Sequence, residues 1–253
     1  MSFLRTPVME FAVPSDVAVF LIGTFAAAFV TGLAGFAFGV VAAGLWLHAL
    51  TPAQSAALVV AYALLVQGHA VWKLRGAINL RRLLPFVLGS AVGIPAGLAV
   101  LDWVPAARLR TALGVLLILF GAYNLLRPRL PDARRAGVAG DAGIGVLNGV
   151  LGGATGLGGI LPTIWCGLRG WTRDEQRAVF QPTAVATFLM CFLAFGGAGL
   201  LTADAARLFL VGLPALVAGT LLGWALYGRL DEASFRRVVL ALVLISGISL
   251  VVT

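Results

Sequence analysis

"NGVLGGATGLGGILPTIWCG", residues 148–167, places five glycines in the eight positions 152–159 and carries no charge. An interior helical glycine costs roughly 1 kcal/mol relative to alanine, so an unbroken helix through this run would forfeit several kcal/mol. The stretch therefore reads as two half-helices joined at a break, with Thr155 at its centre. Pro162, which lacks an N–H, suits the start of the returning half-helix or a kink within it.

The setting of that break is a membrane. Hydrophobic residues make up 60% of the 253, charged residues only 11%, and no charge separates Asp16 from Lys73. An uncharged apolar tract of that length has its natural solvent in a bilayer. The net charge of +8 lies mostly between apolar segments and lacks an aromatic-interleaved basic face, so it reads as topology and not as a nucleic-acid surface. The first apolar run is too long for the core of a cleavable signal peptide. Cys166 and Cys191 stand alone in apolar runs, without metal-ligand spacing, and read as small core residues.

Apolar segments occur at 14–50, 52–72, 83–101, 107–126, 141–168, 178–200, 205–227 and 235–252, interrupted by one hydrophilic linker at 127–140. The linker divides two similar halves, 1–126 and 141–253. An offset of 117 superposes Gly32, Gly35 and Gly39 on Gly149, Gly152 and Gly156. An offset of 126 superposes Arg81, Gly93, Gly97, Arg110 and Gly121 on Arg207, Gly219, Gly223, Arg236 and Gly247. An internal repeat follows. As a single helix, residues 14–50 would extend about 55 Å, far more than a hydrocarbon core of about 30 Å absorbs. Each half should thus open with a Gly-broken hairpin, re-entrant or fully spanning, followed by three transmembrane helices. Three crossings per half make the repeats inverted, which places 14 of the 18 Lys and Arg on the cytoplasmic side together with the linker. Eight simple spans would divide them 10 to 8. The expected fold is an all-α polytopic membrane protein of two inverted repeats.

Gly-interrupted segments at corresponding positions of inverted repeats point to a transporter's binding site. Backbone N–H groups at the half-helix starts, with the helix dipole, favour a small anion. The candidate site residues are Gly35, Gly39, Gly152, Gly153, Thr155, Gly156, Gly158 and Gly159, with Gln181 and Thr183 as neighbouring neutral donors. Thr31 and Asn148, matched at the 117 offset, would orient the two hairpins or form interhelical hydrogen bonds. Gln181, Pro182 and Thr183 could equally be the first turn of a helix. Gly93, Gly97, Gly219 and Gly223 read as packing positions at small-xxx-small spacing. No carboxylate falls midspan, which argues against an acidic proton relay and leaves a passive or weakly coupled anion pathway, or proton coupling through His69. His48 reads as interfacial. Nothing in the inventory supports a metal site, a cofactor or an intramembrane enzyme, since the two histidines lie on separate segments and no nucleophile has a base.

Over nearly its whole length the chain resembles the TauE/SafE sulfite exporter family of bacterial membrane transporters. The resemblance is carried by the two Gly-rich openings, by "WKLRGAINLRRLLPFVLGSAVGIPAG" at 72–97 and by "GATGLGGILP" at 153–162. It implies a multi-pass protein of the bacterial inner membrane that moves sulfite or an organosulfonate, usually outward. Its partners would then be a small anion and the lipid bilayer, with no nucleic acid and with a homodimer left open. An anion channel, or a carrier of another small organic anion, is the alternative. "FQPTAVATF" at 180–188 and "LVVAYALL" at 58–65 stand where a hydroxyl-rich stretch is expected, so the anion's identity stays open.

Overall fold

The computed structural model describes residues 14–34, 37–74, 78–126, 133, 136–226 and 232–252. Among them the backbone forms ten helices and no strand. These are α1 (Pro14–Ala34), α2 (Phe38–Trp46), α3 (Pro52–Leu74), α4 (Leu80–Trp103) and α5 (Ala106–Leu126), then α6 (Gly137–Thr155), α7 (Ile160–Leu168), α8 (Arg173–Gly197), α9 (Ala203–Leu226) and α10 (Glu232–Val252). Five helices, α1, α4, α5, α8 and α9, are long and apolar enough to cross a bilayer. The protein is thus a multi-pass membrane protein. Leu88, Val92 and Trp103 on α4, Leu119 on α5 and Leu210 on α9 are exposed, a surface that lipid covers without cost.

Local chemistry sets several boundaries. The Asn79 side chain accepts from the Arg82 N–H and starts α4. A reciprocal capping box between Thr172 and Glu175 starts α8. That early start overturns the first-turn reading of Gln181–Thr183: Pro182 lies inside α8, more than two turns beyond its cap. α6 begins at Gly137, within the stretch expected to be linker, of which 127–132 and 134–135 lie outside the described residues.

Each Gly-rich opening folds back on itself. α2 and α7, nine residues each, are about 14 Å long, near half a hydrocarbon core. Their partners are unequal to them, since the 21 residues of α1 extend about 31 Å. The hairpins are therefore asymmetric, each with one long and one short arm. An indole fastens each short arm: Trp46 donates to the Phe20 carbonyl at 3.2 Å, and Trp165 donates to the Asp141 carboxylate at 2.7 Å. Around the first fastening, Trp46 also packs edge-on against Phe38, and the Tyr62 ring stacks on Phe209 at 4.8 Å.

Small residues let the long arms dock on helices from the other half. Gly89, Gly93 and Gly97 on α4 interleave with Gly145, Gly149 and Gly153 on α6, the two helices running parallel. A Cβ on Gly153 would stand 2.5 Å from the Ile94 carbonyl oxygen, inside any real contact. α9 runs parallel to α1 in the same manner, with Gly219 and Gly223 against Phe25, Phe29 and Gly32. α5 and α10 run antiparallel, Gly114 meeting Gly247 at one end and Gly121 meeting Leu244 toward the other. Gly32 touches Thr220 and Gly223 as Gly153 touches Ile94 and Gly97, so in packing Gly32 corresponds to Gly153, 121 residues on, where the sequence match set it against Gly149.

Candidate anion site between the two helix breaks

Gly156 closes α6 in the left-handed region, φ 75°, with its N–H bonded to the Gly152 carbonyl at 2.7 Å. A Cβ there would sit 2.6 Å from the Ala56 carbonyl oxygen of α3, so the backbone conformation and the close approach both call for glycine. Gly159, φ 119°, precedes α7. The buried Asn148 holds this turn closed. Its Oδ1 accepts from the Gly159 N–H at 2.7 Å, while Nδ2 donates to Ser90 Oγ on α4 and Thr187 Oγ1 on α8. The first break adopts the same conformation at Ala37, φ 77°, from which α2 departs.

The two breaks meet. A Cβ on Gly39 would lie 2.8 Å from Leu157 Cδ2, and a cavity of about 50 Å³ lies between the two half-helix starts. That space suits a few waters or one small oxyanion. Residues 37–40 and 156–160 line two sides, and Phe120, Phe180, Ala184 and Phe188 supply apolar walls. Polar side chains on the wall are Gln67 of α3 and Thr163 of α7. The Thr163 hydroxyl is already donated to the Gly159 carbonyl at 2.7 Å. Gln67 makes no hydrogen bond among the described residues, which leaves its amide available. Helix geometry leaves the first-turn N–H groups of α2 and α7 without intrahelical acceptors, and Pro162 removes one such donor from α7.

A family model described as sulfite exporter TauE/SafE matches residues 19–250, nearly the whole chain. The chain belongs to this family. TauE/SafE proteins are transporters and not enzymes, and membership makes this chain a membrane transporter of sulfur-containing anions. No curated protein and no solved structure matches it.

Within this TauE/SafE chain the sequence-expected site residues divide. Gly39, Gly156, Gly158 and Gly159 line the cavity. Gly152 and Gly153 face Thr187 and Ile94 and serve the packing of α6 on α8 and α4. The Thr155 hydroxyl donates to the Leu151 carbonyl at 2.7 Å and accepts from the Leu157 N–H at 3.1 Å, so its proton is already used within the break. Thr183 is buried and donates to the Val179 carbonyl within α8. Neither it nor Gln181 reaches the cavity wall, which α8 supplies through Phe180, Ala184 and Phe188. Thr31 donates to the Ala27 carbonyl within α1 and, among the described residues, makes no bond across to another helix as Asn148 does. Gly35 and the His69 side chain lie outside the described residues.

Two further groups bear on electrostatics. Arg169 pairs with the buried Asp141 at 3.2 Å, Arg82 pairs with Glu175 at 2.8 Å, and both guanidiniums lie over the Trp171 ring. Arg82 and Arg169 are therefore engaged by carboxylates and an aromatic face. His48 is exposed, its Nε2 3.1 Å from Ser249 Oγ. Sequence reasoning passed over Gln67. The signal was a neutral amide in "ALLVQGHAVW", inside a run where His69 drew attention.

Proposed function

We propose that this chain exports a small sulfur-containing anion, such as sulfite or an organosulfonate, from a site near the bilayer midplane between the two helix breaks. The observation that carries the reading is the convergence of two half-helix starts and the Gln67 amide on one cavity. Both starts offer N–H donors and the positive end of a helix dipole. Gly39, Gly156, Gly158 and Gly159 allow an anion to approach that backbone closely.

The frame around the site is two inverted repeats, α1–α5 and α6–α10. Three observations support this. The docking of α4 on α6 repeats as that of α9 on α1 when the halves are exchanged. α5 and α10, equivalent helices, run antiparallel, as an axis in the membrane plane requires and an axis along its normal forbids. Among the described residues, Lys73, Arg81, Arg82, Arg169, Arg173, Arg177, Arg236 and Arg237 fall at the end of the bundle where α4 and α6 begin, against Arg108, Arg110 and Arg207 at the other, and the richer end becomes the cytoplasmic face of a bacterial inner membrane. Alternating access would then rock one repeat against the other about the breaks.

Purified protein in liposomes provides the test, with a flux panel of sulfite, sulfate, thiosulfate, sulfoacetate, taurine and chloride. Saturable movement of sulfite or a sulfonate, with taurine and chloride left behind, is the expected result. Failure to move any sulfur anion would overturn the reading.

A further inference from the structure

We infer that the cavity between the breaks selects singly charged anions, so that sulfite travels as hydrogensulfite and brings its own proton. This rests on the function proposed above and narrows the substrate class of the same site. Among the described residues lining the cavity none is ionisable; the polar side chains are Gln67 and Thr163, and Phe120, Phe180 and Phe188 face them. The helices that wall it also carry Tyr62, Arg108, Arg110, Tyr123, Cys166, Asp174, Glu175, Arg177 and Cys191, and none of these is on the lining; the side chains of His69, Lys73 and Arg173 on the same helices lie outside the described residues.

Charge bookkeeping then decides the species. The cost of taking an ion out of water grows as the square of its charge, so a dianion pays about four times what a monoanion pays. Dipolar donors return only in proportion to charge, about twice as much. With no cation on the described wall to close that gap, the second charge is a net penalty. Aromatic and aliphatic walls also favour a weakly hydrated anion over sulfate or the sulfite dianion. Sulfite's second ionisation lies near neutral pH, so hydrogensulfite is at hand on either side of the membrane. An ion exported as HSO3− carries one proton across with it and gives that proton up to the extent that the outer pH lies above the second pKa, and the protein needs no carboxylate midspan to carry it.

The test uses the full chain in liposomes and uptake of labelled methanesulfonate, a fixed monoanion. Competitors are 2,2-dimethylpropanesulfonate, methanedisulfonate of comparable bulk with two fixed charges, and sulfite on either side of its second pKa. The expected result is competition by the dimethylpropanesulfonate, roughly tenfold or more weaker competition by methanedisulfonate, and sulfite competition that strengthens as pH falls while methanesulfonate uptake stays level. Gln67→Lys, which sets an ammonium on the wall, should narrow the gap between the monosulfonate and the disulfonate. Equal competition by methanedisulfonate in the parent protein, or sulfite competing better at high pH, would overturn the inference and leave the proposed export standing. If neither methanesulfonate nor sulfite moves, the proposed function fails and this inference fails with it.

Discussion

Asn148 shows how much of the break depends on single side chains. With no exposed surface it spends both donors and one acceptor, and its Oδ1 is the partner of the Gly159 N–H. Asn148→Leu should therefore strand a buried donor and lower stability by about 1–3 kcal/mol, read as a lower unfolding temperature in detergent. Thr31→Val is the contrast, because the Ala27 carbonyl keeps its helical partner when that hydroxyl is lost; an equal loss in both variants would reject the special role of Asn148. Gly156→Ala separates strain from crowding. Ala37 already holds the same left-handed conformation, so a methyl is tolerated by the backbone there, whereas at Gly156 it would press on the Ala56 carbonyl. Gly156→Ala should lose stability while Ala37→Gly stays close to the parent or gains; the reverse order in a melting series would discredit the close approach to α3.

Between helices, glycine has two opposite consequences within α4 and α6. Gly93 has the Val146 carbonyl where its Cβ would be, while Gly143 has nothing within 4 Å. Gly93→Ala should force α4 and α6 apart and lower the unfolding temperature, and Gly143→Ala should raise it through helix propensity by up to about 1 kcal/mol. Two destabilised variants would contradict the assigned seam. The Asp141–Arg169 pair at the base of the second hairpin lends itself to a double-mutant cycle. Asp141→Leu leaves the largely buried Arg169 without its carboxylate and should cost about 3–5 kcal/mol, while adding Arg169→Met should recover much of that. These contacts also show why the sequence was legible only in part. The break at 152–159 could be read directly because five glycines act on local backbone preference. The repeat register could not. Glycines at 145, 149 and 153 recur every helical turn, so a shift from 121 to 117 still lays glycine on glycine, and only the neighbours Ile94 and Gly97 distinguish the two. Gln67 was equally hidden, since its place on the wall depends on α3 packing beside both breaks.

At the scale of the molecule, the proposed inverted arrangement predicts which loops face outward. A cysteine at Thr202 should react with an impermeant thiol reagent in intact cells and one at Asp174 should not; both native cysteines are fully buried and can remain in place. Labelling at Asp174 alone would require the opposite orientation, and labelling at neither or both would be incompatible with opposite faces. The cross-docking of the halves has a further consequence, for biogenesis. The groove of α1 is filled by α9, whose first residue is made long after Ala34 leaves the ribosome. At about 5–20 residues per second that interval is on the order of ten to thirty seconds. Through it, the nascent N-terminal half holds an unfilled small-residue seam in the lipid, where an insertase or membrane chaperone would find its client.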